Sequence, residues 1–170
     1  MDKFVTVEQE NFKKAMSNFS TGITVITFFD KYSRLQGMTV NSFNSVSLDP
    51  LLVLYSLGKN NKNFDLYLNS EKFVVNILSN KQKRVSDFFS SREREIEGFS
   101  NYCVDEVHNV PILNNVLGYL ICKPWNKIEA GDHYVMISEV LKTVHSSQEE
   151  PKPLIYFNRD YYNLGDVIDD

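Results

Sequence analysis

The sequence predicts a mainly β fold, an antiparallel barrel or sandwich with peripheral α-helices, and three observations carry that prediction. Short runs of β-branched and aromatic residues recur along the whole chain, only two or three stretches show helical apolar spacing, and strands and helices never alternate in the repeating manner of a parallel sheet. The 170 residues, 42% hydrophobic and 24% charged, fit one soluble domain spanning 1–170, with no internal repeat and no linker long enough to divide it. A folded chain of this size buries about two-thirds of its unfolded surface and needs no disulfide or metal to hold together.

Thr6 to Ser20 carries Phe12, Ala15, Met16 and Phe19 at helical spacing, and Thr6 with Gln9 fits a capping box, so an amphipathic helix ends before Gly22. Extended segments follow at Ile23–Phe29, Gly37–Ser47 and Leu51–Leu57, the last two separated by an Asp49-Pro50 turn, and together they predict an antiparallel meander. Asn63–Ser70 places Phe64, Tyr67 and Leu68 on one face of a short helix. Phe73–Leu78 reads as a strand and Lys81–Ser90 as a helix, while Ser91–Ser100 (SREREIEGFS) reads as a charged, mobile surface loop. Strands at Leu117–Lys123, His133–Val144 and Leu154–Phe157 complete the chain.

Several function classes fall away. The glycines stand at 22, 37, 58, 98, 118, 131 and 165, too far apart for a dinucleotide fingerprint, a P-loop or a serine-hydrolase elbow, each of which needs closely spaced glycines for a tight turn. Histidines at 108, 133 and 145 form no HExxH and predict no metal site, and His108 and His145 receive no role. Eighteen basic against 22 acidic side chains give a net charge of -4, without the basic stripe of a nucleic-acid binder. Cys103 and Cys122 lack CxxC spacing and read as packed thiols in a reducing, cytoplasmic setting. The N-terminal residues lack the apolar core of a signal peptide, and the longest apolar run, Leu51–Tyr55, is far shorter than the ~20 residues a bilayer requires; no membrane association is predicted.

The most informative stretch is GMTVNSFNSVSLDP, residues 37–50, which carries small polar groups on both faces of one predicted strand: Thr39, Asn41 and Phe43 against Met38, Val40 and Ser42. An unpaired buried hydroxyl or amide costs roughly 1–3 kcal/mol, so these groups bond either the neighbouring backbone or a polar ligand. Asn44 to Ser47 has the composition of an anion-binding nest, and the loop Ser56 to Asn63 adds Lys59 and Lys62 just before a helix start; both also fit ordinary solvated turns.

Five segments, FKKAMSNFSTGITVIT, GMTVNSFNSVSLDPLLVLYSLG, KFVVNILS, AGDHYVMISEV and PLIYFNRDYYNL, resemble in order and spacing the flavin reductase-like family of the FMN-binding split-barrel fold. The resemblance implies an antiparallel split β-barrel and an NAD(P)H:flavin oxidoreductase. The implied enzyme is homodimeric, with FMN or FAD as flavin and NAD(P)H as co-substrate, and supplies reduced flavin to a separate monooxygenase component. It places Thr39, Asn41 and Ser42 along the isoalloxazine and ribityl chain, Ser45, Val46 and Ser47 at the flavin phosphate, and Ser56, Lys59, Lys62 and Asn63 over phosphate or adenylate. His133 of Gly131-Asp132-His133 falls near the nicotinamide, and Phe157 and Tyr161 border the pocket. Asn63, Leu51 and Ser138 depart from the family pattern, which commonly has Ser or Thr, Pro and Gly there. A protein holding FMN tightly and reducing another acceptor, a non-enzymatic flavin-binding module and a structural dimer are the rival readings of the same residues. The choices between FMN and FAD, and between NADH and NADPH, are open at this level.

Overall fold

In the computed structural model, residues 3–91, 102–107, 109–147 and 149–168 are described, the side chains of 3–7 and 103–107 excepted. The Ser91–Ser100 loop beyond its first residue, the Cys103 thiol and His108 therefore lie outside the described residues. The elements run α1 (Lys3–Ser17), β1 (Thr21–Gly22), β2 (Thr24–Phe29), β3 (Leu35–Val40), β4 (Asn44–Leu48), β5 (Leu51–Gly58), α2 (Phe64–Leu68) and β6 (Phe73–Ile77). A 3₁₀ turn (Asn80–Gln82) leads into α3 (Lys83–Ser90), then β7 (Cys103–Val107), β8 (Val110–Leu113), β9 (Gly118–Ala130), β10 (His133–His145), β11 (Ile155–Phe157) and β12 (Asp160–Tyr162).

The main sheet is antiparallel with strand order β3-β2-β6-β9-β10-β5-β4; β1-β11-β12 and β7-β8 form two small sheets. β3 and β4 are neighbours in sequence yet lie at opposite edges of seven strands. Laid flat, those edges would be roughly 29 Å apart at about 4.8 Å per strand. The three residues between Val40 and Asn44 can span at most about 14 Å, so the sheet must curl into a cylinder. Among the described residues no ladder joins the two edges, which makes the barrel split rather than closed.

The single strand expected over Gly37–Ser47 is thus two strands separated by a bend at 41–43. Alternation continues through the bend, so periodicity alone gives no sign of it. The helix expected over Thr6–Ser20 ends at Ser17, and its apolar stripe does not cover the core: Phe12 and Phe19 are each 68% exposed. The strand expected to end at Lys123 runs to Ala130, because its polar second half pairs with β10 through a two-residue turn. Gly131 supplies the left-handed residue of that turn, at φ 61.

Ile26, Phe28, Val53, Tyr55, Leu57, Phe73, Val75, Cys122 and Met136 fill the barrel, and α2 closes it with Tyr67 edge-on to Phe28, ring centroids 5.0 Å apart. Burial pushes the Cys122 thiol up to about 12, as for an inert packed cysteine. Outside the barrel, Ile23, Val25, Leu78, Leu113 and Leu154 pack with Phe89 of α3. β2 and β6 are consequently buried on both faces, and their polar side chains Thr24, Thr27 and Asn76 are each hydrogen-bonded. Asn76, wholly buried, donates to Val25 O (3.0 Å) and Thr27 Oγ1 (2.9 Å) and accepts from Leu113 N (3.0 Å), joining the β7–β8 hairpin to the sheet.

Candidate active site

A cavity of about 530 Å³ opens between β3, the loop after β5, the end of α3 and the first residue of β10. Its size is that of a small-molecule or cofactor site. Four of the sequence-predicted residues, Thr39, Lys62, Asn63 and His133, come together on its wall from three distant segments. Leu66 and Phe89 give it an apolar side. Among the described residues Arg34 and Lys62 line it and no Asp or Glu does, in a chain whose net charge is -4. A cavity of that charge favours an anion.

Each wall is fixed by local structure. Thr39 Oγ1 donates to Ser86 O on α3 (2.7 Å), and Ser86 Oγ shares a 2.8 Å hydrogen bond with the Tyr161 hydroxyl. Thr39 therefore meets the cavity as an acceptor. Gly37 lies directly under Phe89; a Cβ there would overlap the ring, so only glycine lets α3 approach β3 this closely. Gly58 plays a similar part opposite, where a Cβ would stand 3.0 Å from Asn60 Oδ1 and 3.4 Å from His133 Nε2.

His133 pairs with Asp132, Nδ1 to Oδ1 at 2.7 Å. That contact orients the ring and leaves Nε2 on the Gly58 side, facing the cavity wall. The His133 hydrogen bond, its charge and the Lys59 charge hold the Asp132 carboxyl below its usual range. Lys59 itself is committed to the protein: Nζ contacts Glu129 Oε1 (2.5 Å) and Gly131 O (2.6 Å), and its backbone N–H donates to Asp132 O (2.9 Å). Lys59 thus ties the loop after β5 to the β9–β10 turn beside His133. The hydrogen bond and charge of Lys59 hold Glu129 below its usual range as well.

The other predicted residues stand elsewhere. Ser42 Oγ accepts from Ser56 N (2.9 Å), gathering Asn41, Ser42 and Ser56 at the bend and along β5. Ser45 and Val46 are exposed on the edge strand β4, where a register shift lies between Ser45 and Ser47. Tyr161 lies behind α3 with its ring against Tyr156, and Phe157 packs on Tyr162, ring centroids 5.8 Å apart. Thr39 of the cavity group and Asn41 of the bend group are about 7 Å apart along an extended chain, so the two groups adjoin. Arg34, Gln36 and Asn61 line the cavity without having been singled out from sequence. The one available signal was Asp30 and Arg34 flanking a tight turn between two strands.

The lining fits a phosphorylated, aromatic ligand: cations and amides, apolar side chains, and glycines where a Cβ would intrude. Residues 16–165 match the sequence profile of the flavin reductase like domain. The chain belongs to the flavin reductase-like domain family. The chain is 30% identical to the NADH-dependent flavin reductase StyB of Pseudomonas fluorescens over 161 residues, 95% of this chain and 93% of StyB. A probable flavin reductase of Rhizobium meliloti is 35% identical over 128 residues, 75% of this chain but only 41% of the relative's own length. In three dimensions, nitrilotriacetate monooxygenase component B from Mycobacterium thermoresistibile superposes with a TM-score of 0.87 at 29% identity, covering 94% of this chain and 88% of that one. This flavin reductase-like domain has the barrel of that structure. Among its described residues no helix is long and apolar enough to cross a membrane.

Proposed function

We propose that the chain is an NADH-dependent flavin reductase that transfers a hydride to FMN or FAD and serves a separate monooxygenase component in the cytoplasm. The observation that carries this reading is the convergence of Thr39, Lys62, Asn63 and His133 on one cavity whose described charged lining residues, Arg34 and Lys62, are cations apart from the His133 imidazole. The relatives' names point the same way, StyB being an NADH-dependent flavin reductase.

Flavin, once bound, supplies the hydride acceptor; the protein's task is to align two rings about 3–3.5 Å apart in a dry slot. No general acid or base is needed for that. Thr39, Asn41 and Ser42 address polar atoms of the ring and ribityl chain, the latter two from the bend beside the cavity. Lys62 and Asn63 hold phosphate, with Ser45, Val46, Ser47 and Ser56 along the adjoining edge. His133, aimed by Asp132, places the nicotinamide carboxamide. Lys59 acts through the β9–β10 turn and so positions His133, while Tyr161 and Phe157 brace α3 and the C-terminal strands from behind.

The homodimer belongs to the same proposal. β5 alternates buried Val53, Tyr55 and Leu57 with outward Leu52, Leu54 and Ser56, and cross-strand pairing sets Ile137 and Val135 of β10 and Ile128 of β9 on that outer face. Trp125 is 56% exposed at a register irregularity of the same hairpin. Such a contiguous apolar sheet face suits a twofold contact with a second copy. Light scattering should give twice the 19.7 kDa chain mass, falling to the single mass in Ile128→Arg.

Anaerobic mixing with NADH, with FMN and FAD offered separately, tests the activity: bleaching of either flavin near 450 nm is expected. Absence of bleaching together with absence of calorimetric heat for both flavins would sink the reading. Gel filtration followed by an absorbance scan then separates a diffusible flavin from a retained one.

A further inference from the structure

The β2–β3 hairpin forms one lip of the cavity and carries a guanidinium held from two sides. Arg34 Nε and Nη2 each lie 2.8 Å from Oδ2 of Asp30, and the guanidinium carbon sits 4.9 Å from the Tyr32 ring centroid. Asp30, whose side chain is only 1% exposed, also accepts from the backbone N–H groups of Tyr32 (2.9 Å) and Arg34 (3.0 Å) through Oδ1. Gln36 Nε2 reaches Oδ2 at 3.3 Å, while Gln36 Oε1 accepts from Asn63 Nδ2 at 3.2 Å, linking the hairpin to the opposite loop. Burial pushes the Asp30 carboxyl up, but the hydrogen bonds from Arg34 and Tyr32 and the Arg34 charge outweigh it and hold it below the ordinary range. The carboxylate stays ionised.

A buried carboxylate is a costly way to tether a surface arginine, because its desolvation offsets most of what the pair returns. Its product is direction. An unrestrained arginine carries rotamer entropy that binding would have to freeze, and here the folded hairpin has already restricted it. Arg34 keeps 52% of its side chain exposed, and Nη1 has no partner among the described residues. It lines the same cavity as Lys62, which comes from the loop across the opening.

We propose that Arg34, aimed by Asp30, reads phosphate at the cavity mouth and, with Lys62, takes the pyrophosphate of a dinucleotide. A forked guanidinium opposite a point-charge ammonium suits two linked phosphates better than one. The proposal rests on the flavin reductase reading, in which pyrophosphate comes from FAD or from NADH.

Arg34→Gln separates the two sources. Losing a charge-assisted hydrogen bond of about 1.5–3 kcal/mol corresponds to roughly 10- to 100-fold weaker binding. That loss is expected for FAD in a titration, for NADH in its KM at saturating FMN, or for both, with kcat within about twofold. FMN and reduced nicotinamide mononucleotide, which lack pyrophosphate, should be indifferent; Arg34→Lys should recover part of the loss. Response of FAD alone assigns the site to flavin, and response of NADH alone assigns it to the nicotinamide nucleotide. Unchanged FAD and NADH, or equal weakening of the mononucleotides, overturns the proposal. Unmodified protein gives an independent reading should the variant fold poorly: ADP should compete with the dinucleotide at least ~10-fold better than adenosine, and equal competition overturns the proposal. A wild-type protein inert toward both flavins and NADH removes the reductase reading itself, whereas an active wild type with an indifferent Arg34→Gln removes only this assignment.

Discussion

The two sides of the bend at 41–43 have similar composition and opposite fates. Before it, β3 lies under α3: Gly37 touches Phe89, Gln36 bonds Asp30 and Asn63, and Thr39 bonds Ser86 O. After it, β4 is an edge strand with Ser45, Val46 and Leu48 exposed. A run of small polar residues therefore says little until its neighbours are known. On one side the polar groups bond other elements and form a rigid wall; on the other Asn44 Oδ1 and Ser47 Oγ accept from the backbone N–H groups of Ser45 (2.9 Å) and Asp49 (3.2 Å) of their own segment, and Ser45 is exposed.

The sharpest way to break the contrast is Gly37→Ala. The added methyl collides with a fully buried ring, and overpacking of this kind costs about 2–3 kcal/mol, read as a lower urea midpoint with an unchanged slope. Unaltered stability would show that α3 is not seated on β3. Matched hydroxyl deletions sharpen it: Thr39→Val should cost about 1 kcal/mol because Ser86 O loses its donor, whereas Ser45→Ala should stay within about 0.5 kcal/mol. Equal losses would erase the distinction between the two sides. Ser138 provides the opposite sign. Its Oγ is buried in the barrel without a partner among the described residues, where the family commonly has glycine, so Ser138→Ala should stabilise by about 1 kcal/mol in the same measurement.

The smallest effect is the pH dependence of the Lys59–Glu129 latch. Glu129 titrates below its usual value in the folded chain, so its contribution is complete above the unfolded value of about 4.3 and disappears as pH falls through the lower, folded one. The melting-temperature gap between wild type and Glu129→Gln should be flat above pH ~5 and close below it. A gap that widens on acidification would refute the latch. Lys59→Met should raise the KM for NADH while leaving FMN affinity unchanged, since Lys59 reaches the site only through the turn that carries His133.

The strands buried on both faces were legible as strands: Ile23–Phe29 and Phe73–Leu78 are dense in β-branched and aromatic residues, and barrel and α3 or β8 cover opposite sides of β2 and β6. The bend was not, since alternation persists through it, and neither was the β7–β8 hairpin, whose first strand includes Asp105 and Glu106. Within the site, resemblance brought Thr39, Lys62, Asn63 and His133 into view, and the fold places all four on one cavity. Arg34 and Gln36 escaped notice because DKYSRLQ reads as an ordinary polar turn. Their significance depends on Asp30 being buried, a property of tertiary structure that local composition does not encode.

The short link between Val40 and Asn44 has a further consequence for the seam. In a closed cylinder the first and last strands are zipped by a ladder; here a covalent tether stands in for it, keeping the two rims at millimolar or higher effective concentration of one another. Cutting the chain within 41–43 would leave every ladder of the main sheet intact while releasing that restraint.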